Sequence, residues 1–153
     1  MGLSKNADAL GAPDLSVAGL QVWVHGFERP DSAETYDADW LRVTTHCGAG
    51  GASVWASGAI LTASGFERFA HECQQLYTSL KGSASLSSYE PNLRLTVAAA
   101  DHHGHVDITV EITPDHMTQA HKFSFELDQT QVFDVARQAD EIVARFPNPH
   151  AAK

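Results

Sequence analysis

The clearest pattern of apolar and polar positions lies near the C-terminal end. Phe123, Phe125 and Leu127 alternate with Ser124 and Glu126, the period of two that marks a half-buried strand. Asp128 follows as a helix N-cap with Gln131 three residues on, the sequence of a capping box. Val132, Val135, Ala136, Ala139, Ile142, Val143 and Phe146 then recur at helical spacing until Pro147, predicting a helix over about 129–146. A second stripe, Phe66, Phe69, Ala70, Cys73, Leu76, Tyr77 and Leu80, predicts a helix over about 64–81, with Thr62 or Ser64 at its start and Gly82 past its end.

Period-two alternation predicts five further strands. They run through Leu20, Val22 and Val24; Leu41, Val43 and Thr45; Ala52 to Ile60; Leu93 to Ala99; and Val106 to Ile112. Gly48 to Gly51 and Asp101 to Gly104 are turn sequences between them. Ser83 to Ser88 is a small-residue connector with room for a short strand. The expectation is an α+β fold: a mainly antiparallel sheet of about six strands with two amphipathic helices on one face. Residues 1–17 lack periodicity and read as a mobile N-terminal tail, 18–148 as a single domain, and 149–153 as a C-terminal tail. No internal repeat or linker stands out.

Helices on one face leave the other open to water. Gln21, Trp23, His25, Arg42, Thr44, His46, Ser53, Trp55, Ser57, Arg94, Thr96, His105, Asp107, Thr109, Glu111, Lys122, Ser124 and Glu126 are assigned there. Two tryptophans among polar neighbours allow two readings: they pack on each other or beneath the 28–38 loop, or they form a binding hot spot.

Charge narrows the partners. Nineteen acids against ten Lys and Arg give a formal charge of −9, which repels phosphate backbones and argues against nucleic acid. An acidic surface suits either solubility or capture of a basic partner. Loop 28–39 concentrates Glu28, Asp31, Glu34, Asp37 and Asp39 around Arg29, which reads as a solvated loop or as an acidic docking patch. No stretch approaches a membrane span, and Met1 to Asp8 lacks a basic-then-apolar leader, so the expected location is cytoplasmic. Cys47 and Cys73 then read as free thiols, with a disulfide between them the lesser alternative.

No catalytic set stands out. Asp101, His102, His103 and His105, with His116 and His121 nearby, invite a metal reading. Successive side chains of a hairpin turn diverge, however, and no HExxH or CxxC spacing fixes them. Ala63-Ser64-Gly65 is a helix start instead of a nucleophile elbow. The pairs Asp37/Asp39 and Asp107/Glu111 have no evident cleft to perturb them. No cofactor is expected, nor an enzyme.

Several segments together resemble a known family: Asp37-Ala38-Asp39-Trp40-Leu41, the strand Ala52 to Leu61 with Phe66-Glu67-Arg68-Phe69 after it, Tyr89-Glu90-Pro91-Asn92-Leu93, and Phe123 to Thr130 running on to Ala144-Arg145-Phe146-Pro147. In order and spacing, over roughly residues 20–147, they are similar to the WapI-like family of bacterial immunity proteins of polymorphic toxin systems. The resemblance implies a small cytoplasmic protein that neutralises a cognate toxin domain by occlusion, and it supplies no catalytic residues. The expected partner contacts are Trp23, Trp55, Asp31, Glu34, Asp37, Asp107 and Glu111. The alternatives are a metal-binding protein or enzyme built on the histidines around 102–121, and a structural homodimer that buries its open face. Trp40, ahead of the second strand, is expected in the core.

Overall fold

The computed structural model describes residues 9–30 and 38–149. Among these the chain forms eight strands and two long helices. The first four strands are β1 (Leu15–Val17), β2 (Leu20–Phe27), β3 (Trp40–Ala49) and β4 (Ala52–Thr62), followed by α1 (Ala63–Ser79). Then come β5 (Ser83–Ser87), β6 (Leu93–Ala99), β7 (His105–Ile112), β8 (Lys122–Asp128) and α2 (Gln129–Arg145). Every pairing is antiparallel, so the α+β class holds.

The strands make two four-stranded sheets, β1-β2-β3-β4 and β5-β6-β7-β8, where a single sheet of about six was expected. The difference arises at two short strands. β1 has three residues inside the expected tail, yet Leu15 and Val17 are buried. β5 reads Ser-Ala-Ser-Leu-Ser, whose serines mask its alternation, although Ala84 and Leu86 are buried. Because β5 pairs only with β6, the chain starts a new sheet after α1.

The two halves therefore repeat one plan, a four-stranded meander running straight into a helix. The repeat is one of burial and not of residue identity. Phe66, Phe69, Ala70, Cys73 and Leu76 of α1 and Val132, Val135, Ala136, Ala139 and Ile142 of α2 are the buried residues at the same five helical positions. The helices pack against each other, and each seals the first strand of a sheet. The Ser85 N–H of β5 donates to Glu72 Oε1 at 3.1 Å. The Ser16 N–H of β1 donates to Gln138 Oε1 at 2.7 Å, and Gln138 Nε2 donates back to the Ser16 carbonyl at 3.2 Å. Glu72 and Gln138 stand at the same position of their respective helices.

Both helices are capped as the sequence predicts. Thr62 accepts from the Gly65 N–H, and Asp128 forms the full capping box with Gln131. Such caps contribute about 1 kcal/mol each. The inward faces of both sheets and the stripes of both helices share one core, with Phe66, Phe69, Leu41, Leu95, Ile108 and Ile112 among its largest members. The sheets approach closely where the β1–β2 turn meets β8: a Cβ on Gly19 would fall 2.8 Å from the Phe125 ring, which only glycine avoids.

Candidate partner-binding surface

The single open face expected from the sequence is two outward faces, one on each sheet. On the first sheet, register sets Gln21 opposite His46 and His46 opposite Trp55. His46 Nδ1 meets Gln21 Oε1 at 2.8 Å and Nε2 meets Ser53 Oγ at 2.7 Å. The amide oxygen only accepts, so Nδ1 carries the proton and Nε2 accepts from the Ser53 hydroxyl. The imidazole lies 4.4 Å from the Trp55 ring, and Trp55 stacks on Trp23 at 5.9 Å with 15° between the planes. His25 Nε2 and Thr44 Oγ1, 2.7 Å apart, continue the face.

Trp23 is not an exposed contact. It is 3% exposed, and its Nε1 donates to the Gly11 carbonyl at 3.0 Å, so the segment read as a tail covers it. Asp14 anchors that segment by accepting from the Val24 N–H at 2.7 Å and pairing with Arg145 at 2.5 Å. Trp55 is half-buried and presents the remainder of the aromatic surface.

Ser53, His46 and Gln21 line up as nucleophile, base and orienting group would. Burial lowers the His46 pKa, which favours the neutral form of the ring. A neutral amide in the third place stabilises an imidazolium less than a carboxylate does. The row is a hydrogen-bonded scaffold under Trp55.

Asp107 and Glu111 lie on the outward face of the second sheet, apart from Trp55. Glu111 stands between Arg94 and Lys122 across its neighbouring strands, so cations flank it. Asp107 faces Glu126 directly, a like-charge pair that favours an incoming cation. Asp31, Glu34 and Asp37 lie outside the described residues. Asp39, from the same loop, is buried at the start of α1, where it accepts from the Ser64 N–H at 3.0 Å and from the Ser64 hydroxyl. It is a helix anchor, not a docking acid.

The histidines around 102–121 go to separate partners. His105 Nδ1 binds Asp101 Oδ2 at 2.6 Å, which raises the His105 pKa and holds Asp101 down at about 2. His116 lies 3.5 Å from Glu90, and His121 lies 3.4 Å from Gln119. Among the described residues no three His, Cys, Asp or Glu side chains converge on a metal position. Cys47 and Cys73 are free, and burial pushes both thiols up to about 12.

Two surface features were not foreseen. Trp40 is half-buried instead of core, and its ring lies 5.4 Å from Tyr89, which is 85% exposed. Together they flank a cleft of about 160 Å³ at the start of α1. Between the helices, Tyr77 and Phe133 form an exposed aromatic pair 5.4 Å apart. Phe133 lies off the apolar stripe of α2, and Tyr77, on the stripe of α1 by spacing, is exposed at its margin.

These features define a small α+β protein whose surface chemistry lies on broad sheet faces. The chain belongs to the WapI-like immunity protein family, whose model matches residues 14–147. No curated protein sequence matches it. Among solved structures it is similar to the CdiA-CT/CdiI toxin and immunity complex from Enterobacter cloacae, with 9% identity, a TM-score of 0.40, and coverage of 67% of this chain and 89% of that chain. Among the described residues no helix is long and apolar enough to cross a membrane.

Proposed function

We propose that this protein is a cytoplasmic immunity protein that neutralises a cognate toxin domain by binding and occluding it, without catalysing a reaction. Family membership over residues 14–147 carries the reading. The outward face of the first sheet supports it, because Trp55 is a rigid aromatic anchor held by Trp23 and His46. Trp23 contributes by supporting Trp55 from below. Asp107 and Glu111 on the second sheet, and Asp31, Glu34 and Asp37 in the loop, are the acidic contacts for a basic toxin. Trp55 and the Asp107 pair face outward from different sheets, so the carboxylates act mainly by steering the partner through the field of a chain with a charge of −9.

The test is a tag-free pull-down from the native host, with bound proteins identified by mass spectrometry. Stoichiometric recovery of a toxin domain supports the reading. Recovery of no such domain, from cells shown to express one, overturns it. Association with the recovered domain is expected to slow about tenfold or more from low to high salt, with dissociation little changed.

A further inference from the structure

Each sheet has two edges, and an unmanaged edge is a template for another strand. Three of the four edges carry an identifiable guard. Gln138 of α2 seals β1, and Glu72 of α1 seals β5. β8 carries Lys122, Glu126 and Asp128, three charges in seven residues. β4 is the longest strand, at 11 residues, and it has neither a charge nor a proline.

The stretch of β4 able to pair is short and well bounded. At one end, Gly50 and Gly51 both have positive φ and close a two-residue hairpin between Ala49 and Ala52. At the other, the register slips between Gly58 and Leu61, where an extra residue bulges. In a two-residue hairpin the closing pair is hydrogen-bonded, and the pattern alternates from there. Ser53, Trp55 and Ser57 therefore aim their N–H and C=O groups away from β3. The Gly48 N–H fits this phase: Gly48 is opposite Ser53, and it donates away from β4 to the Gly19 carbonyl at 3.1 Å. Among the described residues nothing seals the outward backbone groups of Ser53, Trp55 or Ser57.

We propose that this edge pairs with the same edge of a second copy of the chain, antiparallel and centred on Trp55. The sequence between hairpin and bulge is Ser53-Val54-Trp55-Ala56-Ser57, chemically near-symmetric about Trp55. A two-fold axis there sets Trp55 against its copy and each Ser53 against a Ser57, with no charge facing a charge. It joins two four-stranded sheets into one of eight. It also brings the two Trp55 rings together on a face where each already stacks on Trp23. Only five residues pair from each copy, so the contact is smaller than that of obligate dimers, and the association is concentration-dependent. Trp55 is also the proposed toxin contact, so self-pairing and toxin capture exclude each other. The dimer is measured on the protein alone and stands or falls separately from the toxin reading.

The experiment combines mass against concentration with amide exchange on the full chain. The expected result is a mass rising from 16.5 kDa toward twice that value. The Trp55 and Ser57 amides should exchange about tenfold or more slowly as the mass rises. Ser57→Pro removes an outward N–H and sets a ring into the edge while sparing the ladder to β3, and it should hold the protein at monomer mass with unchanged far-UV circular dichroism. If that variant fails to fold, the amide exchange of the unaltered chain decides. A monomer at every concentration with fast-exchanging Trp55 and Ser57 amides overturns the proposal. So does a dimer in which those amides stay unprotected, or protection that arises only when a toxin domain is added.

Discussion

Replacing Trp23 and Trp55 in turn separates what holds the first sheet together from what it offers a partner. The rings stack on each other but differ in burial: Trp23 is 3% exposed, whereas Trp55 is half-buried. Trp23→Ala removes a full indole from beneath residues 9–14 and leaves a cavity, a change that costs about 3–5 kcal/mol. Within that sum, the hydrogen bond to Gly11 accounts for about 1 kcal/mol and the stacking on Trp55 for about 0.5–1.5 kcal/mol. Trp55→Ala loses the same stacking and the contact with His46, but its outer side is already in water, so about 1–2 kcal/mol is expected. Urea unfolding followed by far-UV circular dichroism gives both values without relying on the indole signal being altered, provided the m-value is unchanged. In thermal melts the Trp23 variant should lose about 6–20 °C, at 2–4 °C per kcal/mol for a chain of this size. In toxin binding the order reverses per unit of stability lost, with Trp55→Ala the more damaging. Equal destabilisation by the two variants, or a loss below about 1 kcal/mol for Trp23→Ala, would refute the assignment of Trp23 as buried support.

Two further predictions concern the ends of the sheets and the histidines. Glu72→Ala and Gln138→Ala unseal the first strand of each sheet and should each cost about 1–2 kcal/mol, with faster amide exchange at Ser85 and at Ser16 respectively; exchange unchanged at both would contradict the seals. In a proton NMR titration, His105 should titrate above 6.5, because Asp101 stabilises its charged form, and His46 below 6.5, because burial opposes its charging. The His105 contribution to stability is complete below 6.5 and fades as pH rises through its folded pKa. The Asp101 contribution is present above 3.8 and is lost as pH falls through about 2. His46 works the other way: stability is lost as pH drops from 6.5 toward its folded pKa, because the unfolded chain takes the proton first. A His46 that titrates above His105 would contradict the burial of that ring on the first sheet.

The readable parts of this fold are those encoded by neighbours in the chain. The capping box at Asp128, the two apolar helix stripes and the six longer strands follow from spacing alone, and all appear in the structure. The division into two sheets does not. It depends on β1 and β5, strands of three and five residues whose pairing is secured from helices far along the chain, Ser16 by Gln138 and Ser85 by Glu72. The duplicated plan was hidden for a related reason: phenylalanine, cysteine and leucine in one helix answer to valine, alanine and isoleucine in the other. On the surface, Gln21, His46, Ser53 and Trp55 fell on one face by alternation, but the bonds among them and the covering of Trp23 by Gly11 are long-range facts. Trp40 shows the limit of composition. A large aromatic ring suggests core, yet this one sits half-buried beside exposed Tyr89, and Trp40→Ala should accordingly cost nearer about 1–2 than 3–5 kcal/mol.

The most direct test of the central claim is a titration of the recovered toxin domain's activity with this protein. Occlusion predicts activity falling linearly to zero at one molar equivalent, with a Trp55→Ala variant shifting the curve to higher concentration while staying folded. Full toxin activity in the presence of excess, demonstrably bound protein would contradict neutralisation by occlusion.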